Sequence, residues 1–318
     1  MRYSLPMRRR TFIRAGAIAA ATTLVRPAWA LPAARAFKMN LVTGMIGVVA
    51  RTQAEVNALA KQHGFESVEA RGAELAALSP DELSRLKEDM QRDALVWGAG
   101  FLPNEARADA ATFAEAIKNL PAVAAGLQRA GVTRVGTWIS PGSDDLTYLQ
   151  NYKRHVERIG LIAGILDDHG LRFGLEYIGT PGLRRARRYA FIHTMAEARE
   201  LFADVGARNV GFVLDSWHWW TARESADDLQ KVTNRDVVAV DLNDAPVGIP
   251  LDDQKDNQRE LPGATGVIPV AAFLQALVEI GYDGPVRAEP FNAALNALEN
   301  DEACARTIEA LRKAIGTT

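Results

Sequence analysis

The sequence has little of several features that identify particular classes of protein. It contains one cysteine, Cys304, among 318 residues, which excludes an internal disulfide, a thiolate metal site and a CxxC redox motif. Its formal net charge is −2, so there is no excess of positive charge for a broad contact with nucleic acid or an anionic membrane. No internal repeat and no low-complexity linker is present. The remaining composition, 48% apolar and 24% charged, is that of an ordinary soluble globular protein.

The N-terminus has the order of parts expected of an export signal. Three arginines at positions 8–10 precede an apolar run from Ala15 to Val25 and the small-residue string AWA that ends at Ala30. This run is shorter than the ~20 residues that span a bilayer, so we expect a signal peptide, residues 1–30, and no membrane span in the mature protein. The RRTFIR string resembles a twin-arginine signal, which carries folded proteins. The alternative is an uncleaved basic N-terminus.

A periplasmic location follows from this signal. Because phosphorylated sugars are mostly cytoplasmic, it favours a free sugar or glycoside as substrate.

From residue 38 to residue 318, short apolar runs alternate with amphipathic stretches, which is typical of βα units in a parallel sheet. The predicted strands are Met39–Gly47, Ser67–Arg71, Ala94–Phe101, Arg134–Ile139, Arg172–Ile178, Val210–Asp215, Val237–Leu242 and Val286–Glu289. The predicted helices are Gln53–His63, Pro80–Gln91, Ala110–Ala130, Leu146–His169, Ala196–Val205, Ala226–Thr233, Val270–Ile280 and Asp301–Ile315. Eight such units predict an α/β fold, a single (β/α)8 TIM barrel over residues 38–318 without a second domain.

Four acidic residues, Glu176, Asp215, Asp241 and Glu289, lie at or near the carboxyl ends of predicted strands five to eight. Active sites of such barrels form at that end, and four consecutive strands line one arc of the mouth. Burying charge on an apolar strand is costly unless something compensates it, so a shared divalent cation is predicted. The alternatives are unrelated loop acids or helix N-caps, and Asp244 in place of Asp241.

His218 follows Asp215 by three residues in DSWH, a spacing that lets the imidazole reach the same metal or the substrate. Trp217, Trp219 and Trp220 surround it and offer a stacking wall for a sugar ring, or else ordinary core packing. The other four histidines are predicted to be surface or core residues. Oxygen-rich ligation favours Mn²⁺ or Mg²⁺, and one imidazole extends the choice to Co²⁺ or Zn²⁺.

These segments carry a resemblance. From about residue 38 onwards the chain resembles the xylose isomerase-like TIM barrels, a sugar isomerase/epimerase group related to ketose 3-epimerases, inosose dehydratases and endonuclease IV. The matching pieces are GLEYIG, LDSWHWW, LNDAP, RELPGATGVI and GYDGPVRAEPF. The resemblance implies that Glu176 and Glu289 are acid/base catalysts as well as metal ligands, and that His218 and Arg259 contact substrate oxygens.

The sequence departs from the relatives at Asp241, where they often have a histidine. This change adds a negative charge, favours Mn²⁺ or Mg²⁺ over Zn²⁺, and leaves open whether Asp241 binds metal directly or through water. A trinuclear zinc site like that of the endonuclease group needs several histidines, which this chain does not supply. Without a basic groove, it has little with which to hold DNA.

The predicted chemistry is proton transfer next to a polarised carbonyl. One glutamate removes a proton from carbon, and the other returns it to the opposite face or to the neighbouring carbon. Glu69, Arg71 and Trp138 are further candidates for substrate contacts, with rim salt bridges or packing as the alternative.

Three other readings remain open: a lyase or dehydratase that eliminates a group from a 3-keto-glycoside or inosose, a metal-dependent hydrolase, and a sugar-binding barrel without turnover. The arginines at positions 184, 185, 187 and 188 offer a clamp for an anion or a solvated loop. Related barrels often associate, which allows a homo-oligomer.

Overall fold

The computed structural model describes residues 35–102 and 108–316; the predicted signal peptide lies outside them. Eight parallel strands close into a barrel in which each strand pairs with its neighbours in sequence and the last pairs with the first. The strands are β1 Lys38–Leu41, β2 Ser67–Ala70, β3 Val96–Phe101, β4 Arg134–Trp138, β5 Arg172–Glu176, β6 Val210–Asp215, β7 Val237–Leu242 and β8 Pro285–Ala288. The predicted (β/α)8 barrel is therefore confirmed.

Helices follow the strands and cover the outside of the barrel. Those in the described residues are α1 Gln53–His63, α2 Gly72–Ala77, α3 Pro80–Arg92, α4 Ala110–Ala130, α5 Tyr148–Asp168, α6 Pro181–Arg185, α7 Met195–Val205, α8 Ser216–Thr221, α9 Ala226–Leu229, α10 Val270–Glu279, α11 Ala293–Asn296 and α12 Asn300–Ile315. Local signals fix several ends: the Ser79 and Glu82 side chains form a capping box at the start of α3. No helix among residues 35–102 and 108–316 combines the length and apolarity that crossing a membrane requires.

Small side chains fill the interior of the barrel beneath the mouth. Ala99, Val213 and Ala239 form a buried apolar cluster of their own there. A Cβ added at Gly174 would lie 2.8 Å from Val213 and 2.9 Å from Val238, so this position has room only for glycine. Ala99, Val213 and Ala239 line the bottom of the cavity at the barrel mouth, so the longer side chains at the carboxyl ends of the strands form the site.

Two predicted elements end at least four residues too late. The first strand was expected to reach Gly47, but it ends at Leu41 and a 3₁₀ helix occupies Thr43–Ile46, closed by Gly47 with a positive φ of 73°. Apolar runs of this length do not distinguish a strand from a strand followed by a tight turn. The helix predicted over residues 226–233 is α9, which ends at Leu229.

Candidate metal centre

The four acidic residues from strand ends β5 to β8 meet at one point. Glu176, Asp215, Asp241 and Glu289 each place a carboxylate oxygen such that all four oxygens lie within 4.8 Å of one another. Glu176, Asp215 and His218 satisfy the same condition. All of these side chains are buried. Like charges at this spacing repel strongly in a buried environment, so the arrangement requires positive charge to compensate it.

Glu176 and Glu289 hold their protons more tightly than ordinary glutamates. Burial, with Glu289, Asp215 and Asp241 nearby, raises the pKa of Glu176 well above its usual value. Burial and the charge of Asp241 raise the pKa of Glu289 to about 8, although Arg259 and Arg287 oppose the shift. The Glu176 Oε1 atom is buried and has no hydrogen-bond partner. A buried carboxylate oxygen without a hydrogen-bond partner is a suitable ligand for a cation.

Asp215 is fixed by hydrogen bonds from α8, which follows it, and from the residue directly after β7. Its Oδ1 accepts from the backbone N–H of Trp217 at 2.6 Å and from Asn243 Nδ2 at 3.0 Å. Asn243 Oδ1 in turn accepts from the backbone N–H of Glu289 at 2.9 Å. The Asn243 amide therefore sets the spacing between two of the four acids.

Arg259 supplies one of the compensating charges. Its Nη1 donates to Asp215 Oδ2 at 2.7 Å and to Glu289 Oε2 at 3.1 Å, while its Nη2 donates to Asp256 Oδ1 at 2.9 Å. The guanidinium lies between the rings of Trp217 and Phe291, 5.2 and 4.9 Å from their centroids. This packing holds the guanidinium rigidly among the acids.

His218 is a neutral imidazole in this arrangement. Its Nε2 lies 3.3 Å from Arg259 Nη2, which can only donate, so Nε2 accepts and the proton belongs on Nδ1, 3.5 Å from Thr180 Oγ1. Burial lowers the pKa of His218, in agreement with the neutral form. Thr180 Oγ1 completes the network by donating to Asp256 Oδ1 at 3.0 Å.

Asp241 pairs with Arg287 on the neighbouring strand. The two residues are partners in the β7–β8 register, and Arg287 donates Nε to Asp241 Oδ1 and Nη2 to Oδ2, the latter at 2.8 Å. Asp244, the alternative ligand, uses its carboxylate to accept four backbone N–H groups, from Ala245, Thr265, Gly266 and Ile268. Asp244 therefore holds the following loop and is not available to the cluster.

A cavity of about 360 Å³ opens above the acids. This volume lies within the ~300–1,000 Å³ typical of small-molecule sites. Trp138, His218 and Arg259, three of the predicted substrate contacts, line it. So do several residues that were not predicted: Met45, Phe101, Leu183, Asp256, Arg287 and Phe291.

Three other candidates lie outside this cavity. Trp217 is fully buried against Arg259 and donates its indole N–H to Thr180, so its ring packs inside the protein. Glu69 accepts from the backbone N–H and hydroxyl of Thr43, at 3.1 and 2.8 Å, and faces a separate space between β2 and α4. Arg71 pairs with Glu74 at 3.0 Å.

Two arginines of the 184–188 segment form ion pairs with acidic residues outside the cavity. Arg187 pairs with Asp144 at 2.7 Å and Arg185 with Asp252 at 3.2 Å, and both pairs are exposed.

Of the unpredicted residues, Arg287 had a usable signal: it lies two positions before Glu289 and so faces the same side of the sheet. Asp256 lies in an irregular loop with no periodic pattern.

The charges of the cluster fit a divalent cation. If all four carboxyls are ionised, they and the guanidinium groups of Arg259 and Arg287 carry a formal charge of −2, or −3 when Asp256 is included. A dication would bring this total to 0 or −1. Together with the orphaned Glu176 oxygen, the count supports a bound hard cation at this position.

Comparison with known proteins gives consistent matches. The family model described as xylose isomerase-like TIM barrel matches residues 58–314. An inosose isomerase of Bacillus subtilis (strain 168) is 28% identical over 151 residues, 48% of this chain and 51% of that protein. A D-psicose 3-epimerase of Agrobacterium fabrum is 24% identical over 237 residues, 72% of this chain and 75% of that protein. The chain thus spans about half the length of the inosose isomerases it matches.

Solved structures agree on the fold. A xylose isomerase domain protein from Alicyclobacillus acidocaldarius is 30% identical with a TM-score of 0.77, covering 89% of this chain and 99% of that one. A structure of the IolI protein with a zinc atom bound has 21% identity and a TM-score of 0.71, covering 88% of this chain and 98% of that one.

Proposed function

The chain belongs to the xylose isomerase-like TIM barrel family, and from that membership we propose that it is a divalent-metal-dependent isomerase or epimerase of an unphosphorylated keto-sugar or cyclitol. The observation that carries the proposal is the pair Glu176 and Glu289. These buried carboxyls both have raised pKa values and both line one sugar-sized cavity beside two further acids. The similarity to proteins named inosose isomerase and D-psicose 3-epimerase supports it.

The metal would be held by carboxylates of the cluster, with His218 within reach. Oxygen ligands favour Mn²⁺, Mg²⁺ or Co²⁺, while the similar IolI structure contains zinc. When bound, a dication polarises the carbonyl and hydroxyl oxygens of a sugar and so acidifies the C–H bond between them.

The protein's own groups then move the proton. A carboxylate at Glu176 or Glu289 accepts a proton from carbon, and the other residue, in its acid form, delivers one. Burial and the neighbouring acids raise the pKa of both glutamates, so the positive charge nearby sets which of the two holds the proton. Delivery to the opposite face inverts the carbon, whereas delivery to the adjacent carbon isomerises the sugar. The neutral His218 and the fixed Arg259 guanidinium orient the sugar oxygens.

The charge of the site favours an uncharged substrate. With a dication bound, the cluster retains a formal charge of 0 or −1. A phosphate or carboxylate on the sugar would therefore add little to the binding free energy. Two arginines of the 184–188 segment, Arg185 and Arg187, pair with Asp252 and Asp144 and do not change this balance. An exported location agrees with a free sugar; fractionation of cells that express the full chain would test it, and the mature protein in the cytoplasmic fraction would count against it.

Solvent exchange tests the reaction directly. The Mn²⁺-loaded protein is incubated with D-psicose and, separately, with an inosose in deuterated water, and the sugars are analysed by mass spectrometry and NMR. We expect one deuterium on a carbon next to the carbonyl. Because general acid–base groups contribute ~10²–10⁴ in rate, E176Q and E289Q should each exchange at least about 100-fold more slowly.

The matched control is E309Q, which removes an exposed glutamate on α12 and should exchange at the parent rate. Loss of mass from the sugar would indicate elimination and favour a lyase. Binding of sugar without exchange in the parent protein would favour a non-catalytic barrel. Exchange that survives in E176Q and E289Q would contradict the assigned roles.

A further inference from the structure

Arg287 enters the cavity from β8 in the same orientation as Glu289, two residues later. Its side chain is 11% exposed and lines the cavity, whereas Asp241 beside it is fully buried and is not among the lining residues. The guanidinium therefore lies between Asp241 and the space that a substrate would occupy.

The three guanidinium nitrogens of Arg287 differ in their hydrogen bonds: two bind Asp241 and one does not. Nε and Nη2 bind both oxygens of Asp241, a fork that fixes the plane of the group. Nη1 donates to no residue among those that the structure describes. Because Arg287 lines the cavity and Nη1 is the guanidinium nitrogen that does not bind Asp241, Nη1 can donate to a sugar hydroxyl or carbonyl oxygen there.

Asp241 contributes less to a cation than the other acids do. Both of its oxygens are engaged by Arg287, so its charge is already compensated, and an ion bound to it would lie close to the guanidinium. Glu176, by contrast, has an oxygen with no partner, and Arg287 lies 3.8 Å from the nearest Glu289 oxygen, beyond hydrogen-bond distance.

We propose that Asp241 and Arg287 form a neutral unit, in which Asp241 positions the guanidinium and Arg287 binds an oxygen of the sugar through Nη1. The cation is then held by Glu176, Asp215 and Glu289 without Asp241, in contrast to the ligand set expected from the sequence. The role toward the sugar rests on the proposed function, while the ligand assignment does not.

Calorimetric titration of chelator-treated protein with Mn²⁺ tests the ligand assignment without turnover. The decisive variant is D241N/R287M, which removes one negative and one positive charge together. We expect it to bind Mn²⁺ within about threefold of the parent, because uncharged replacements for a buried ion pair are often tolerated. R287M alone should bind Mn²⁺ more tightly, since it leaves the Asp241 carboxylate uncompensated. E176Q, which loses a ligand, should bind at least about tenfold more weakly.

The opposite outcome is equally definite. If Asp241 ligates the ion, D241N/R287M will lose affinity as E176Q does, and the assignment is wrong. Circular dichroism melts of each variant separate loss of the site from loss of the fold.

The role toward the sugar is read from kinetics. D241N/R287M should raise KM for D-psicose or inosose about tenfold, with a smaller change in kcat, if Arg287 binds a sugar oxygen. An unchanged KM would overturn that role. If the parent protein converts none of these sugars, it is the proposed function that fails, and the Mn²⁺ titrations still decide the ligand set.

Discussion

Glu224 is a largely buried carboxyl that does not line the cavity. It accepts hydrogen bonds from the Tyr177 hydroxyl and from the backbone N–H of Met195, the latter at 2.6 Å. Burial raises the pKa of Glu224 to about 7, even though these two hydrogen bonds lower it. The residue therefore changes charge near neutral pH and couples stability to pH.

The sign of this coupling follows from the shift. The usual glutamate pKa is 4.5, so between about pH 4.5 and pH 7 the folded protein holds a proton that the unfolded chain has lost. The free energy of unfolding falls as pH rises through that window. E224Q removes this contribution, which is on the order of 1–3 kcal/mol. Urea unfolding of chelator-treated protein at pH 5 and pH 8 should therefore show that the free energy of unfolding falls less between these pH values in E224Q than in the parent.

E309Q is again the control, and its free energy of unfolding should fall between pH 5 and pH 8 as much as that of the parent. Equal losses for E224Q and the parent would show that Glu224 titrates normally in the folded protein.

At the residue scale, the sequence predicted the acids better than their partners. Glu176, Asp215, Asp241 and Glu289 each interrupt an apolar strand, and the barrel brings strand ends together, so their proximity followed from topology. The pairing of Asp241 with Arg287 depends on strand register. The contacts of Asp256 depend on the conformation of an irregular loop. No local pattern encodes either of them.

At the scale of elements, periodicity predicted most of the barrel. The bounds of β6, β7, α1 and α4 agree with the prediction to the residue, because alternation or helical spacing there ends at clear turn signals. Short helices in the βα loops, such as α6 and α8, were missed. They contain too few residues for a period to show, and long-range contacts hold them.

Two glycines in neighbouring helices allow a matched test of packing. A Cβ added at Gly164, on the exposed side of α5, would meet nothing within 4 Å, whereas one at Gly126 in α4 would lie 2.5 Å from the Ala76 Cα of α2. G164A should raise the free energy of unfolding by about 0.5–1 kcal/mol, because alanine favours helix and exposed space accepts it. G126A should lower it by about 1–3 kcal/mol through overpacking between α2 and α4.

Urea unfolding of both variants measures these changes. Destabilisation by G164A would show that α5 needs glycine there for another reason, and a neutral G126A would show that α2 can move away from α4.

At the scale of the whole molecule, the last helix binds the first loop. Val49, between β1 and α1, donates its N–H to Asn300 Oδ1 at 3.0 Å, and Asn300 Nδ2 donates to the Val49 carbonyl at 2.9 Å. Arg312 donates to the carbonyls of His63 and Gly64. Cys304 lies on the buried side of this last helix, α12, and burial raises the pKa of its thiol to about 11. The thiol therefore reacts only after α12 has opened.

N300A should accelerate the labelling of Cys304 by a thiol reagent about fivefold, because losing a pair of surface hydrogen bonds costs roughly 1 kcal/mol of local stability. The control R306A removes an exposed ion pair with Glu302 on the same helix and should label at the parent rate. Labelling is followed by absorbance at several reagent concentrations. An unchanged rate in N300A would mean that α12 opens independently of the Val49 contact.

The closure of the barrel through pairing of β1 with β8 also fixes an order of assembly. β5 to β8, whose ends carry the four acids, come late in the chain, and Glu289 follows β8 directly. On the ribosome, the earlier strands emerge long before the partner that seals the ring. A nascent chain therefore brings the four acids together only after the final strand has emerged.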